Sequence, residues 1–60
     1  MKIKELRMQK GYRQQDIAKM LDMSIHTYRS KEKGRRGFKV KELLRLEKIF
    51  QVSISKMFED

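Results

Sequence analysis

The sequence predicts an all-α fold, a compact domain of five short helices, from three features. Apolar residues recur at intervals of three and four, as along one face of a helix, and no alternation persists long enough for a strand. The chain has no proline, and its three glycines are placed to stop helical segments. Ser24 and Ser53 each precede such a segment, where a hydroxyl can accept from a backbone N–H of the first turn.

The elements follow in order. Ile3, Leu6 and Lys10 share a face with Arg7, which predicts a first helix over residues 2–10 ended by Gly11. Gln14, Ile17, Ala18 and Leu21 follow the i, i+3, i+4, i+7 pattern of a second. After the turn Asp22-Met23-Ser24, Ser24 caps a third helix that Gly34 closes. Val40, Leu43, Leu46 and Phe50 define the inward face of a fourth, flanked by Leu44 and Ile49. Ser53 caps a short fifth helix containing Ile54, Met57 and Phe58. The five methionines read as gap-fillers, with Met23 in the core behind the turn. The expected organisation is one domain, 1–60, with no repeat, low-complexity tract or linker. A chain this short buries only about 60% of its unfolded surface, so its stability is modest.

Composition narrows the function. Sixteen basic residues against eight acidic ones leave a net charge of +8, which favours a polyanionic partner, nucleic acid before an anionic membrane surface. The charge is clustered: seven of the thirteen residues from Arg29 to Lys41 are Lys or Arg, whereas Lys56 is the only cation after Gln51. With no cysteine there is neither a disulfide nor a thiolate metal site, and His26, the only histidine, lacks ligand partners. No HExxH, Cys/His pair or glycine-rich phosphate loop is present, so neither an enzyme nor a cofactor is expected. No apolar run reaches the length of a signal-peptide h-region or a bilayer span, so the expected location is cytoplasmic, at the nucleoid. A membrane-active basic helix is disfavoured because the apolar residues are divided among short helices.

Residues 14–33 then read as a short helix, a tight turn and a second helix with a polar, basic outer face, the layout of a helix-turn-helix on duplex DNA. At about 100° per residue, Thr27, Tyr28, Lys31 and Glu32 fall on one side of the third helix. His26, Arg29, Ser30 and Lys33 fall on the other, with Ile25 at the leading edge. Any soluble helix has a polar outer face, but the turn and the amphipathic helix before this one favour DNA reading. Arg29 can donate twice to guanine O6 and N7, Ser30 can serve several bases, and Ile25 suits a thymine methyl. His26 can donate or accept. Lys33, Arg35 and Arg36, at and just beyond the helix end, would meet phosphates, which set affinity and register but carry no sequence information.

From Ile3 to Phe58 the chain resembles the Cro/phage-repressor (Xre-type) helix-turn-helix domain. The matching positions are Leu6-Arg7, Gly11, Gln14, Ile17-Ala18, Leu21, Ser24, Thr27, Glu32, Gly34, Leu43, Leu46 and Val52-Ser53. The resemblance implies a five-helix DNA-binding domain, usually dimeric on a palindromic operator, with base contacts at Ile25, His26, Arg29 and Ser30. It implies that Gln14 bonds a phosphate and helps orient a side chain of the recognition helix. It also implies a largely buried ion pair between Arg7 and Glu32. An exposed phosphate contact is the other reading of Arg7, but a buried Glu32 without a partner would be costly.

Several positions depart from the pattern. Arg13 replaces the usual Thr cap, which weakens the cap and adds a phosphate contact. Asp22 stands where Gly is common, and a left-handed backbone costs more there for Asp. Tyr28 fills a position usually held by Ile or Val and is expected in the core with its hydroxyl reaching the surface. Lys31 takes the place of an aromatic or Leu, and Phe38-Lys39 that of Pro-Ser. Glu47 projects into the apolar face of the fourth helix where Ala is usual; either it pairs with a basic group or that part of the face is solvated.

These readings predict a sequence-specific, repressor-like transcription regulator that places residues 24–33 in the major groove and occludes a promoter. Two protomers would read half-sites about one helical turn apart. A protein-binding adaptor on the same scaffold and an antitoxin-type autoregulator are the alternatives; RNA binding is disfavoured by the lack of exposed aromatic stacking platforms. The apolar segment 49–58 either closes the core or presents a patch for a homodimer, in solution or only on DNA. With the domain ending at Asp60, no separate oligomerisation or ligand-sensing module is expected.

Overall fold

The computed structural model describes residues 1–59; Asp60, where the sequence reading ends the domain, lies outside the described residues. Five helices follow one another, α1 (Ile3–Gln9), α2 (Gln14–Met20), α3 (Ile25–Glu32), α4 (Val40–Phe50) and α5 (Ile54–Met57). There is no strand among the described residues. Ile3 and Leu6 of α1, Ile17 and Ala18 of α2, Tyr28 of α3, Leu46 and Phe50 of α4 and Met57 of α5 meet in one core with Leu21. Each helix supplies one or two of these residues, so none is stable without the others. The chain ends are joined as well, with Lys2 N donating to Met57 O at 2.6 Å.

Two glycines end helices by the expected means. Gly11 and Gly34 take φ of +80° and +85°, which only glycine adopts without strain. The chain beyond each folds back onto the helix: Tyr12 N donates to Arg7 O and Arg35 N to Ser30 O, both at 3.0 Å. Gly37 behaves differently, standing inside the loop between α3 and α4 and ending no helix. Asp22, in the α2–α3 turn, has φ of +55°, so the left-handed backbone there falls on a non-glycine residue. Its carboxylate accepts from Arg45 at 3.1 Å, an exposed pair that adds little stability.

Four expectations for side chains are corrected. Val40 is not part of the inward face of α4; it is 72% exposed. It is the first residue of that helix, and the inward position of the first turn is taken by Glu42, with Leu43, Leu46 and Phe50 continuing the stripe. Ser53 precedes α5 but its hydroxyl meets Ser55 at 3.1 Å instead of capping. Glu47 supplies that cap: its Oε2 accepts from Ile54 N at 3.2 Å. It therefore neither pairs with a cation nor stands free, because a helix N-terminus offers unpaired N–H donors and a favourable field for a carboxylate. Of the methionines, only Met57 and the half-buried Met23 fill the core; Met1, Met8 and Met20 are exposed.

The 49–58 segment divides between its two readings. Phe50 and Met57 are fully buried and Ile49 and Val52 pack against the core, while Phe58 stays 48% exposed.

Candidate nucleic-acid interface

The interface begins with how α2 starts. Arg13 sits at the N-cap in extended backbone and its side chain makes no cap bond. Asp16, three residues on, accepts from Arg13 N at 2.8 Å and supplies the cap from inside the helix. This leaves Arg13 exposed and places Gln14 in the first turn, facing α3. Across the turn, Ser24 Oγ accepts from Thr27 N at 3.2 Å and starts α3.

A network of charged side chains fixes α3 from behind. Arg7 of α1 donates from Nε to Glu32 Oε2 at 2.9 Å and from a terminal nitrogen to Glu32 Oε1 at 3.3 Å. The same guanidinium donates to Tyr12 O at 2.8 Å. Tyr28 donates its hydroxyl to Glu32 Oε2, so the phenol ends in the buried network and not at the surface as its position suggested. Burial would push the Glu32 carboxyl up, but the bonds from Arg7, Tyr28 and Gln14 outweigh it and hold the group below the ordinary carboxylate range. Burial pushes the Tyr28 phenol up, and its bond to Glu32 adds to the shift. The Glu32 carboxylate in turn raises Arg7.

Gln14 carries this network outward. Its Nε2 donates to Glu32 Oε1 at 3.1 Å, and its Oε1 accepts from Arg29 Nε at 3.0 Å. Arg29 is thereby held at one edge, while its terminal nitrogens have no protein partner among the described residues. On the same helix His26 is exposed and Ile25 and Ser30 half-buried; Lys33 at its C-cap and Arg35 and Arg36 in the loop beyond are exposed. Side-chain bonds thus join only Gln14 and Arg29 among the candidate contact residues; Arg13 stands at the start of α2, and the others share the outer side of α3 or its continuing loop.

Two further residues escaped the sequence reading. Lys31 and Glu42 are buried and paired, Nζ to Oε1, at 2.7 Å. The signal was present: Lys31 projects with Tyr28 and Glu32 onto the inward side of α3, where a cation needs a partner. Burial pushes Glu42 up, but bonds from Lys31 and Lys39 N outweigh it and lower its pKa. Beside this pair a concavity of about 200 Å³ opens between the α2–α3 turn and α4, lined by Leu21, Asp22, Lys39, Lys41, Glu42 and Arg45.

An α2–turn–α3 unit with a buried brace behind it and a basic outer side in front is the arrangement of a helix-turn-helix, and residues 3–57 match the helix-turn-helix family. The chain belongs to that family, in its Xre/Cro type. Neither a curated protein nor a solved structure matches it. The family is one of DNA-binding transcription regulators, implies duplex DNA as partner and is not typically enzymatic. Among the described residues of this helix-turn-helix chain, no helix is long and apolar enough to cross a membrane.

Proposed function

We propose that the chain is a sequence-specific transcriptional repressor of the Cro/repressor-like kind, which lays residues 24–33 in the major groove of a palindromic operator and occludes the promoter. Ile25, His26, Arg29 and Ser30 contact base edges; Arg13, Gln14, Lys33, Arg35 and Arg36 contact phosphates. The observation that carries this reading is the bond between Arg29 Nε and Gln14 Oε1 at 3.0 Å. It leaves the outer pair of guanidinium nitrogens to donate side by side, which matches the O6 and N7 acceptors of guanine in the major groove. A second protomer packs against the 49–58 face, where Phe58 is exposed, and reads the other half-site.

Selection from a random duplex library, followed by titration of the enriched site and of scrambled DNA at two salt concentrations, tests the proposal. A palindromic consensus bound at least about 10³-fold more tightly than scrambled DNA is expected. Weak, uniform binding that vanishes with salt would reduce the charge to a non-specific footprint and leave the adaptor reading. Repression of a reporter carrying the selected site separates a repressor from a regulator of other kind.

A further inference from the structure

Between α3 and α4 the chain runs through residues 33–39, with Lys33, Arg35, Arg36 and Lys39 exposed and a glycine on each side of the arginine pair. Such a segment is free to adopt many conformations, and ordering it at the moment of binding would subtract from affinity. Three ties restrain it beforehand. Gly34 N donates to Lys31 O at 3.1 Å, and Arg35 N and Arg36 N to Ser30 O at 3.0 and 3.4 Å. The Phe38 ring lies 6.3 Å from that of Tyr28, tilted by 60°. Glu42 Oε1 accepts from Lys31 Nζ at 2.7 Å and from Lys39 N at 2.8 Å.

The third tie is of a different kind. It joins a side chain of α3, the last residue of the loop and the first turn of α4 at one carboxylate oxygen. The Lys31 and Glu42 side chains are only 7% and 10% exposed. Apolar residues of similar size in place of a buried ion pair are often neutral or stabilising, although here the N–H of Lys39 would lose its acceptor. What they would lack is direction: a hydrogen-bonded carboxylate holds one angle between α3 and α4, and an apolar contact does not.

The geometry points to Lys31 and Glu42 as positioning residues that set the shape of the 33–39 loop, so that Lys33, Arg35 and Arg36 meet phosphates without prior ordering. The inference rests on the DNA-binding reading above. Neither residue touches DNA; both act through the loop.

The test is titration of the whole chain with a random-sequence duplex over a range of salt, because phosphate contacts are independent of sequence. Native protein is compared with Glu42→Ala and with the apolar pair Lys31→Met/Glu42→Leu, each shown to be folded by circular dichroism at the binding temperature. Net charge separates the explanations. Glu42→Ala adds one positive charge and the apolar pair adds none, so bulk electrostatics predicts tighter binding for the first and no change for the second.

Positioning predicts weaker binding for both, roughly three- to tenfold, with a salt slope smaller by about 1–2. It also predicts faster amide exchange at Arg35 and Arg36. A folded apolar pair that binds with native affinity and slope overturns the inference and leaves the proposed function standing. If Glu42→Ala does not fold, the apolar pair carries the test. Failure of the native chain to bind any duplex overturns the DNA-binding reading itself, and this inference with it.

Discussion

Gln14 of α2 and Arg29 of α3 are joined side chain to side chain, Oε1 accepting from Nε at 3.0 Å. The other end of the same amide donates to Glu32, which Arg7 and Tyr28 hold from behind. The orientation of the amide follows from its neighbours, since reversing it would set an acceptor against the carboxylate and a donor against the guanidinium. An exposed side chain of α3 is thus anchored, through two bonds, to a buried charge.

Arg29→Ala should weaken operator binding by about 1–3 kcal/mol and relax preference at one base pair, with little effect on random DNA. Gln14→Ala should act in the same direction, and less in an Arg29→Ala background than alone. A double-mutant cycle by titration measures the coupling, expected at about 0.5–3 kcal/mol. Equal losses on operator and random DNA for Arg29→Ala would remove its base-reading role.

Arg35→Ala and Arg36→Ala should each weaken binding to every sequence alike and lower the salt slope by about 1. Fluorescence anisotropy at several salt concentrations reads both quantities. A loss confined to the operator would move these residues from phosphates to bases.

Glu32→Gln leaves Arg7 as a buried charge without its counter-ion and should cost about 3–5 kcal/mol, a large share of a small domain's total. Urea unfolding measures it. The acid limb follows from the same group. Glu32 and Glu42 have carboxyls lowered from 4.5 in the folded chain, so the stability they confer is present above pH 4.5 and lost as the pH falls through their folded values. A variant without Glu32 should show a shallower acid limb than the native chain.

Tyr28→Phe removes one donor to Glu32 and should cost about 1.5–3 kcal/mol near neutral pH. The folded phenol is raised above its ordinary 10.0, so it remains protonated where an unfolded tyrosine ionises. Its contribution is therefore complete below pH 10 and declines as the pH rises beyond it. Thermal melts above pH 10 should fall more steeply for the native chain than for Tyr28→Phe; parallel curves there would exclude Tyr28 as the source.

Glu47→Ala restores the residue usual in the family and should nonetheless destabilise, by about 0.5–2 kcal/mol, because the N–H of Ile54 loses its acceptor. Faster amide exchange at Ile54 would locate the loss at α5. A stabilised variant would show the cap to be worth less than the apolar packing gained.

The sequence by itself determined the five helices, their order and the outward side of α3. Each of these is written locally: the recurrence of Ile17, Ala18 and Leu21, the serine before α3 and the glycine after it act within a turn or two of chain. His26, Arg29 and Lys33 could be assigned to the outer side for the same reason. The partners were not written locally. Lys31 reaches a carboxylate eleven residues away, Gln14 bonds residues fifteen and eighteen away, and Arg7 meets Glu32 across twenty-five. Periodicity says which side of a helix a residue occupies, but not what that side docks against. The spacing puts Val40 on the inward stripe of α4, but that stripe does not reach back to the helix's first residue, which faces solvent. Glu47 was unreadable because its partner is a backbone N–H that exists as a free donor only once α5 begins. Only the tertiary structure, by bringing α1, α2, α3 and α4 together, decided which charges were buried, which were paired and in what direction Arg29 is held.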